Sequence, residues 1–283
     1  MAPPLSPHLT VMINAARKAA KQLLRDFNEV EQLQVSVKGP SDFVSQADLR
    51  SEATLRRELE KARPGYGFLM EESGVSGSSN WSWRWIVDPL DGTTNFLHGM
   101  PHWAISIALE RRVGGGAAEL AAGVVYNPAA NEMYWAERGA GAYLNDRRLR
   151  VSARREIAEA VFATGIPFAA ATASHRLAFA RTLGHLMPQV AGIRRFGAAA
   201  LDLAWVAAGR FDGYWELGVN AWDVAAGILL VREAGGFASD PAGGDPLASG
   251  DVVAANPALH ARLGGAVADG MAAAQRRVGG RDG

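Results

Sequence analysis

Asp88 and Asp91 close the apolar run Trp85-Ile86-Val87, and Gly92, Thr93 and Thr94 follow them directly. Two carboxylates supply the hard oxygen ligands that Mg²⁺ takes. The small residues beyond them suit the first turn of a helix, where unpaired N–H groups and the positive end of the dipole favour a phosphate. That combination is a metal-phosphate site. The run before Asp88 reads as a strand buried on both faces, and Pro89 predicts the end of that strand, since proline cannot donate within a central ladder. Each piece alone has a plainer reading, because Asp-Gly is a common turn pair and Thr a common helix cap. Together, directly behind a buried strand, they point to chemistry.

Apolar run and carboxylate are paired twice more. Gly67-Phe68-Leu69-Met70 runs into Glu71-Glu72-Ser73-Gly74, and Asp223 heads the apolar segment Trp222-Asp223-Val224-Ala225-Ala226-Gly227. Taken singly, Glu71-Glu72 reads as a solvated turn and Asp223 as a charge set against a helix dipole. Three such ends can converge on one metal cluster. No thiol competes, because the chain has no Cys, and its His residues lack the spacing of a zinc protease. His98 and His102 flank the first motif, but imidazole suits Mg²⁺ poorly, so both read as packing or supporting residues.

The elements that must position these groups follow from periodicity. Leu9, Met12, Ile13, Ala16, Ala20, Leu23 and Phe27 mark an amphipathic helix, and a second is predicted from about Ala47 to Lys61, with Asp48 in its first turn. Between them, Ser36 to Ser45 reads as a polar turn or hairpin carrying Lys38 and Asp42. Strands dominate from Trp85 to Arg150, with Gly114-Gly115-Gly116 as a turn. Beyond Val151 helices and strands alternate. Helices are expected at His175 to Leu186, Ala198 to Ala208, Trp222 to Ala234 and from Pro257 onward; strands at Ala160 to Thr164, Phe211 to Glu216 and Asp251 to Ala254. Arg276 to Gly283 reads as a loose polar tail.

A chain of 283 residues can bury a substantial core. Lys+Arg 29 against Asp+Glu 29 gives zero formal charge, which removes the general electrostatic argument for nucleic acid or a membrane surface. No signal segment or membrane-spanning run is evident, so a cytoplasmic protein is expected.

The run Asp88-Pro89-Leu90-Asp91-Gly92-Thr93-Thr94-Asn95-Phe96, the upstream Glu71-Glu72-Ser73 and the downstream Trp222-Asp223-Val224-Ala225-Ala226-Gly227 resemble the paired signatures of the inositol monophosphatase family of Mg²⁺-dependent, lithium-sensitive phosphatases. The likeness extends from about Lys38 to Asn256, through Gly123-Val124-Val125-Tyr126-Asn127-Pro128, Arg195-Phe196-Gly197-Ala198-Ala199-Ala200 and Glu233-Ala234-Gly235-Gly236. It implies an α+β fold, a layered α-β-α-β-α sandwich of the inositol monophosphatase and fructose-1,6-bisphosphatase type. Residues 1–150 would form an α+β half with most of the ligands, and 151–283 an α/β half with Asp223 and substrate contacts.

By the same resemblance, Glu71, Asp88 and the Leu90 carbonyl would hold a first Mg²⁺, with Asp88, Asp91 and Asp223 around a second; a weaker third would use Glu71 and water. Asp48 and Thr93 would orient and deprotonate the attacking water. Read without the resemblance, Asp48 is a first-turn helix charge and Thr93 a cap. Gly92 and Thr93 N–H groups would bind phosphate, while Glu216, Asp223, Ala199 and Arg195 would meet a sugar or cyclitol. Arg195 reads equally as a surface or dimer residue. Lys38 and Asp42 would sit on a flap near the third metal, or on a solvated loop. Met70 stands where many relatives carry Gly and narrows the backbone choices before Glu71; Leu90 replaces Ile, which is harmless where only the carbonyl is used.

The implied activity is hydrolysis of inositol-1-phosphate by a homodimer acting on a small phosphorylated polyol. The alternatives are a sugar or nucleotide phosphatase, such as one for fructose-1,6-bisphosphate, and a family member with an added RNA or transcription-binding role.

Overall fold

The computed structural model describes residues 3–29, 35–39, 42–112, 114, 116–167 and 171–279. Five layers stack in sequence. On the outside lie α1 (Pro7–Asn28) and α2 (Gln46–Ala62), against an eight-stranded sheet of β3 (Gly67–Met70), β4 (Gly74–Ser76), β5 (Trp83–Asp91), β6 (Ala104–Arg112), β7 (Ala118–Asn127), β8 (Glu132–Glu137), β9 (Gly141–Leu144) and β10 (Arg147–Arg148). Its order is β10-β9-β8-β7-β6-β5-β3-β4, antiparallel except for the β3–β5 pair. The central layer is α5 (Ala199–Ala207) and α6 (Ala221–Glu233). A five-stranded mixed sheet follows, built from β11 (Val161–Thr164), β12 (Gly192–Arg194), β13 (Gly213–Leu217), β14 (Phe237–Ser239) and β15 (Asp251–Ala255) in the order β12-β11-β13-β15-β14. Its outer face is covered by α4 (Ala173–Leu186) and α8 (His260–Gly279). Short helices α3 (Thr93–Leu97) and α7 (Pro246–Ser249) complete the fold, with a hairpin of β1 (Val35–Gly39) and β2 (Asp42–Ser45).

The period of two along each central strand produces this layering. In β5, Trp85 and Val87 join the core under α1 and α2 while Ile86 faces the central helices; in β13, Tyr214 faces those helices and Trp215 packs under α4 and α8. Strands buried on both faces read as unbroken apolar runs, which is how β5 was recognisable.

Two expectations are corrected. β5 does not stop at Pro89 but continues to Asp91, because a bulge absorbs the proline: Asp88 pairs with Ser106 and Asp91 with Ala104, so one extra residue sits in β5 between them. Arg276 is no loose tail, since α8 runs on to Gly279, anchored upstream by Leu263, Val267 and Ala274 against the sheet. Gly114 lies in the expected turn; Gly115 falls outside the described residues, as do the last four positions.

Candidate active site

The β5 bulge and the start of α3 form the floor. Leu90 N donates to Asp88 Oδ1 at 2.9 Å across Pro89, and Gly92 then turns the chain through φ 87° into α3. Only glycine fits there without strain: a Cβ would lie 3.0 Å from the His102 carbonyl oxygen and 3.1 Å from Ala198 Cβ. Asn95 Nδ2 ties this turn across the layers, donating to the carbonyls of His102 and Phe196 at 2.7 Å each.

Four other segments converge on that floor. β3 lies parallel to β5, and Glu71 N continues the ladder by donating to the Val87 carbonyl at 3.2 Å, which brings Glu71 beside Asp88. The Met70 side chain is fully buried in the core under α1 and α2. From α2, Asp48 Oδ2 accepts from the Thr93 hydroxyl at 3.3 Å. The Ser106 hydroxyl, directly opposite Asp88 in register, donates to the Trp222 carbonyl at 3.3 Å and so docks the N-terminus of α6, with Asp223, against β5 and β6. Ala200 N, in the first turn of α5, donates to Asp91 Oδ2 at 2.8 Å.

Carboxylates therefore crowd one buried place. Burial, followed by the charges of Glu71, Asp91, Asp223 and Asp48, raises the Asp88 carboxyl well above the usual carboxylate range. Burial and then Asp223 do the same to Asp91, against the opposing pull of the Ala200 amide. Oxygens of Asp48, Glu71 and Glu72 lie within 4.8 Å of one another. An all-oxygen donor set whose charges oppose each other fits a hard divalent cation, which relieves that repulsion.

Glu72 was not among the expected ligands; its adjacency to Glu71 was the only signal. Asp202 was also missed. It sits in the first turn of α5, buried, with its carboxyl raised by burial and accompanied by His102 Nε2 at 3.3 Å from Oδ1. Its buried position depends on a partner in a distant part of the chain. His102 thus supports the site, whereas the His98 side chain is exposed.

The expected substrate side lies next to the cluster. Ala199 opens α5 beside Asp91's donor, and Glu216 on β13 is held by the Tyr214 hydroxyl. Glu216 folds back over Gly165, where a Cβ would lie 1.8 Å from Oε1, so only glycine leaves it room. Burial raises the Glu216 carboxyl to about 7; the Tyr214 hydrogen bond lowers it, Asp202 raises it and Arg195 lowers it. Arg195 itself is exposed and near enough to act on both Glu216 and Asp202. The hairpin of β1 and β2 packs beside α2 and α3, but the roles suggested for the Lys38 and Asp42 side chains lie outside the described residues.

Five alternating layers around an acidic, oxygen-only centre define a sandwich of the phosphomonoesterase type. Residues 5–272 match the inositol monophosphatase family, and the chain belongs to it. It is 56% identical over 256 residues to an inositol-1-monophosphatase of Mesorhizobium japonicum, covering 90% of this chain and 94% of the relative. A Nus factor SuhB of Pasteurella multocida is 44% identical over 256 residues, covering 90% and 93%. The crystal structure of the extragenic suppressor protein suhB from Bartonella henselae superimposes with a TM-score of 0.87 at 52% identity, covering 93% of this chain and 98% of that one. No helix among the described residues is long and apolar enough to cross a membrane.

Proposed function

We propose that this chain hydrolyses inositol-1-phosphate to inositol and phosphate with Mg²⁺, two or three ions being held by Glu71, Asp88, Asp91, Asp223 and the Leu90 carbonyl. The observation that carries the reading is that Glu71 and Asp223, both half-buried, close on the buried Asp88 and Asp91 beside the start of α3. Phosphate monoesters hydrolyse extremely slowly in water, so charge neutralisation and a ready nucleophile are both required. When bound, the cations neutralise the phosphate, acidify a water and stabilise the leaving oxygen.

The chain's own residues do the rest. Thr93 has a single hydroxyl proton and two acceptors in reach, Asp48 Oδ2 at 3.3 Å and the Leu90 carbonyl at 2.9 Å. With that proton directed to Asp48, the Thr93 oxygen accepts from the attacking water and orients it, and Asp48 receives the proton. Amides of Gly92 and Thr93 bind the phosphate. Glu216 and Asp223 accept from substrate hydroxyls, Ala199 leaves room for the ring, and Arg195 edges the polyol side. The catalytic unit would join its halves near Val151, work as a homodimer and reside in the cytoplasm.

A panel of phosphate esters, assayed for phosphate release with Mg²⁺, with chelator and across a Li⁺ titration, tests the reading. Inositol-1-phosphate should lead, with chelator abolishing and Li⁺ inhibiting turnover. Preference for fructose-1,6-bisphosphate or a nucleotide would move the chain to a sibling activity. Rates indifferent to chelator would reject the metal site.

A further inference from the structure

We propose that Glu52 is a positioning residue for the metal site, holding the Glu71-Glu72 turn so that its carboxylates stay in reach of Asp48. The inference builds on the divalent-cation reading above. Asp48, Ser51 and Glu52 stand at helical spacings of three and four, hence on one face of α2. Each fastens a different segment of the site. Asp48 Oδ2 accepts from the Thr93 hydroxyl at the start of α3, and the Ser51 hydroxyl donates to the Pro89 carbonyl inside the β5 bulge at 2.9 Å. Glu52 Oε2 accepts from Glu72 N at 2.9 Å. One turn further on, Arg56 donates to Ser73 Oγ at 3.1 Å and Ser76 Oγ at 2.9 Å, closing the far side of the same turn.

Glu52 is the member of this face that acts on ligand direction. The amide it holds belongs to the peptide joining Glu71 to Glu72, so its orientation sets where both side chains leave the backbone. Glu52 is itself buried, behind the turn that carries Glu71 and Glu72. A buried carboxylate without a good donor is costly, and the Glu72 amide supplies one. Removing the acceptor takes this hydrogen bond from the amide and loosens the turn's hold on its direction. Supports behind metal ligands behave this way, with losses of about 10–100-fold in metal affinity when they are removed.

The test is Mn²⁺ binding without substrate, read from the paramagnetic resonance of the free ion, in wild type, Glu52→Ala, Glu52→Asp and Glu52→Gln. Circular dichroism and thermal unfolding in chelator check the fold. Ala favours the helix, and Asp keeps the charge but falls one methylene short of the amide, so it serves if the Ala variant does not fold. Both should bind Mn²⁺ about 10–100-fold more weakly and show a smaller metal-induced rise in Tm. Gln, whose amide oxygen can accept from Glu72 N, should stay close to wild type. A folded Ala or Asp variant with wild-type affinity overturns the proposal, even if its metal-free Tm falls, because Glu52 would then be only a staple. Equal losses in Gln and Ala would make charge the cause and overturn it too. A wild-type protein that binds no Mn²⁺ would instead remove the cation reading beneath it.

Discussion

The amide of Ala200 donates to Asp91 Oδ2 at 2.8 Å, so a carboxylate at the end of β5 is fastened by the first turn of α5, a helix of the central layer. Helix N-terminal amides favour negative charge, and this one orients the carboxylate while burial and Asp223 oppose its ionisation. Asp91 is therefore held in place by the fold while its negative charge is disfavoured, as expected of the cation ligand proposed above.

Asp91→Asn should keep that hydrogen bond through its amide oxygen and keep the fold, while losing a charged ligand. Turnover of inositol-1-phosphate should fall by more than about 100-fold, since even supporting residues cost 10–100-fold. Phosphate release over a Mg²⁺ titration, alongside circular dichroism, measures both. Near wild-type rates at limiting Mg²⁺ would remove Asp91 from the ligand set.

Gly92→Ala forces a side chain into φ 87° and against the His102 carbonyl. The left-handed conformation costs about 1–2 kcal/mol, and the close contacts add about 1–3 kcal/mol of overpacking. Urea unfolding should show the sum of these losses, with turnover reduced because the first α3 amides move. An unchanged midpoint would mean that the turn relaxes freely.

Glu216→Gln should discriminate between substrates. Losing a charged acceptor costs on the order of 1–3 kcal/mol, and in the proposed role only a polyol would engage it. The kcat/KM for inositol-1-phosphate should fall while that for p-nitrophenyl phosphate changes little. Because burial raises the Glu216 carboxyl to about 7, the ratio of the two wild-type values should rise as pH climbs through 7 and flatten in the Gln variant. Taking the ratio cancels ionisations that both substrates share. Equal losses on both, rescued by extra Mg²⁺, would transfer Glu216 to the metal ligands.

Metal-free stability should depend on pH through Asp88 and Asp91. Both carboxyls are raised in the folded state, so between the unfolded value of about 4 and the raised one the folded chain binds more protons, and stability falls as pH rises. In chelator, the unfolding free energy should therefore decline from mildly acidic pH towards neutrality, by at most about 1.4 kcal/mol per pH unit for each such group. Asp88→Asn should decline less steeply, and Mg²⁺ should offset the loss in wild type. Denaturant titrations at several pH values settle it; identical slopes for wild type and variant in chelator would contradict the crowding.

Much of this protein was legible in the chain because local physics is written locally. The helical stripe from Leu9 to Phe27, the double-sided apolar run Trp85-Ile86-Val87 and the Gly92 turn each depend on near neighbours, so α1, β5 and the start of α3 were recognisable from spacing and residue type. The acidic residues were visible for the same reason, as carboxylates at the ends of apolar runs. That three such ends can converge on one metal cluster is legible in the residues themselves, whereas which of them share an ion, and the parts of Asp48 and Thr93, become expectations only through the family resemblance.

What the tertiary structure decided involves residues far apart in sequence. Pro89 stays in β5 because β6 and the Ser51 hydroxyl accommodate a bulge, a compensation that no reading of residues 85 to 91 contains. Asp202 looks like an ordinary first-turn charge until His102 meets it, and Glu52 like a solvated helix glutamate until the Glu72 amide does. A buried carboxylate is tolerable only beside a donor. Whether that donor arrives is settled by how β3, β6 and α5 pack, which sets the environment of each charge as sequence spacing alone cannot.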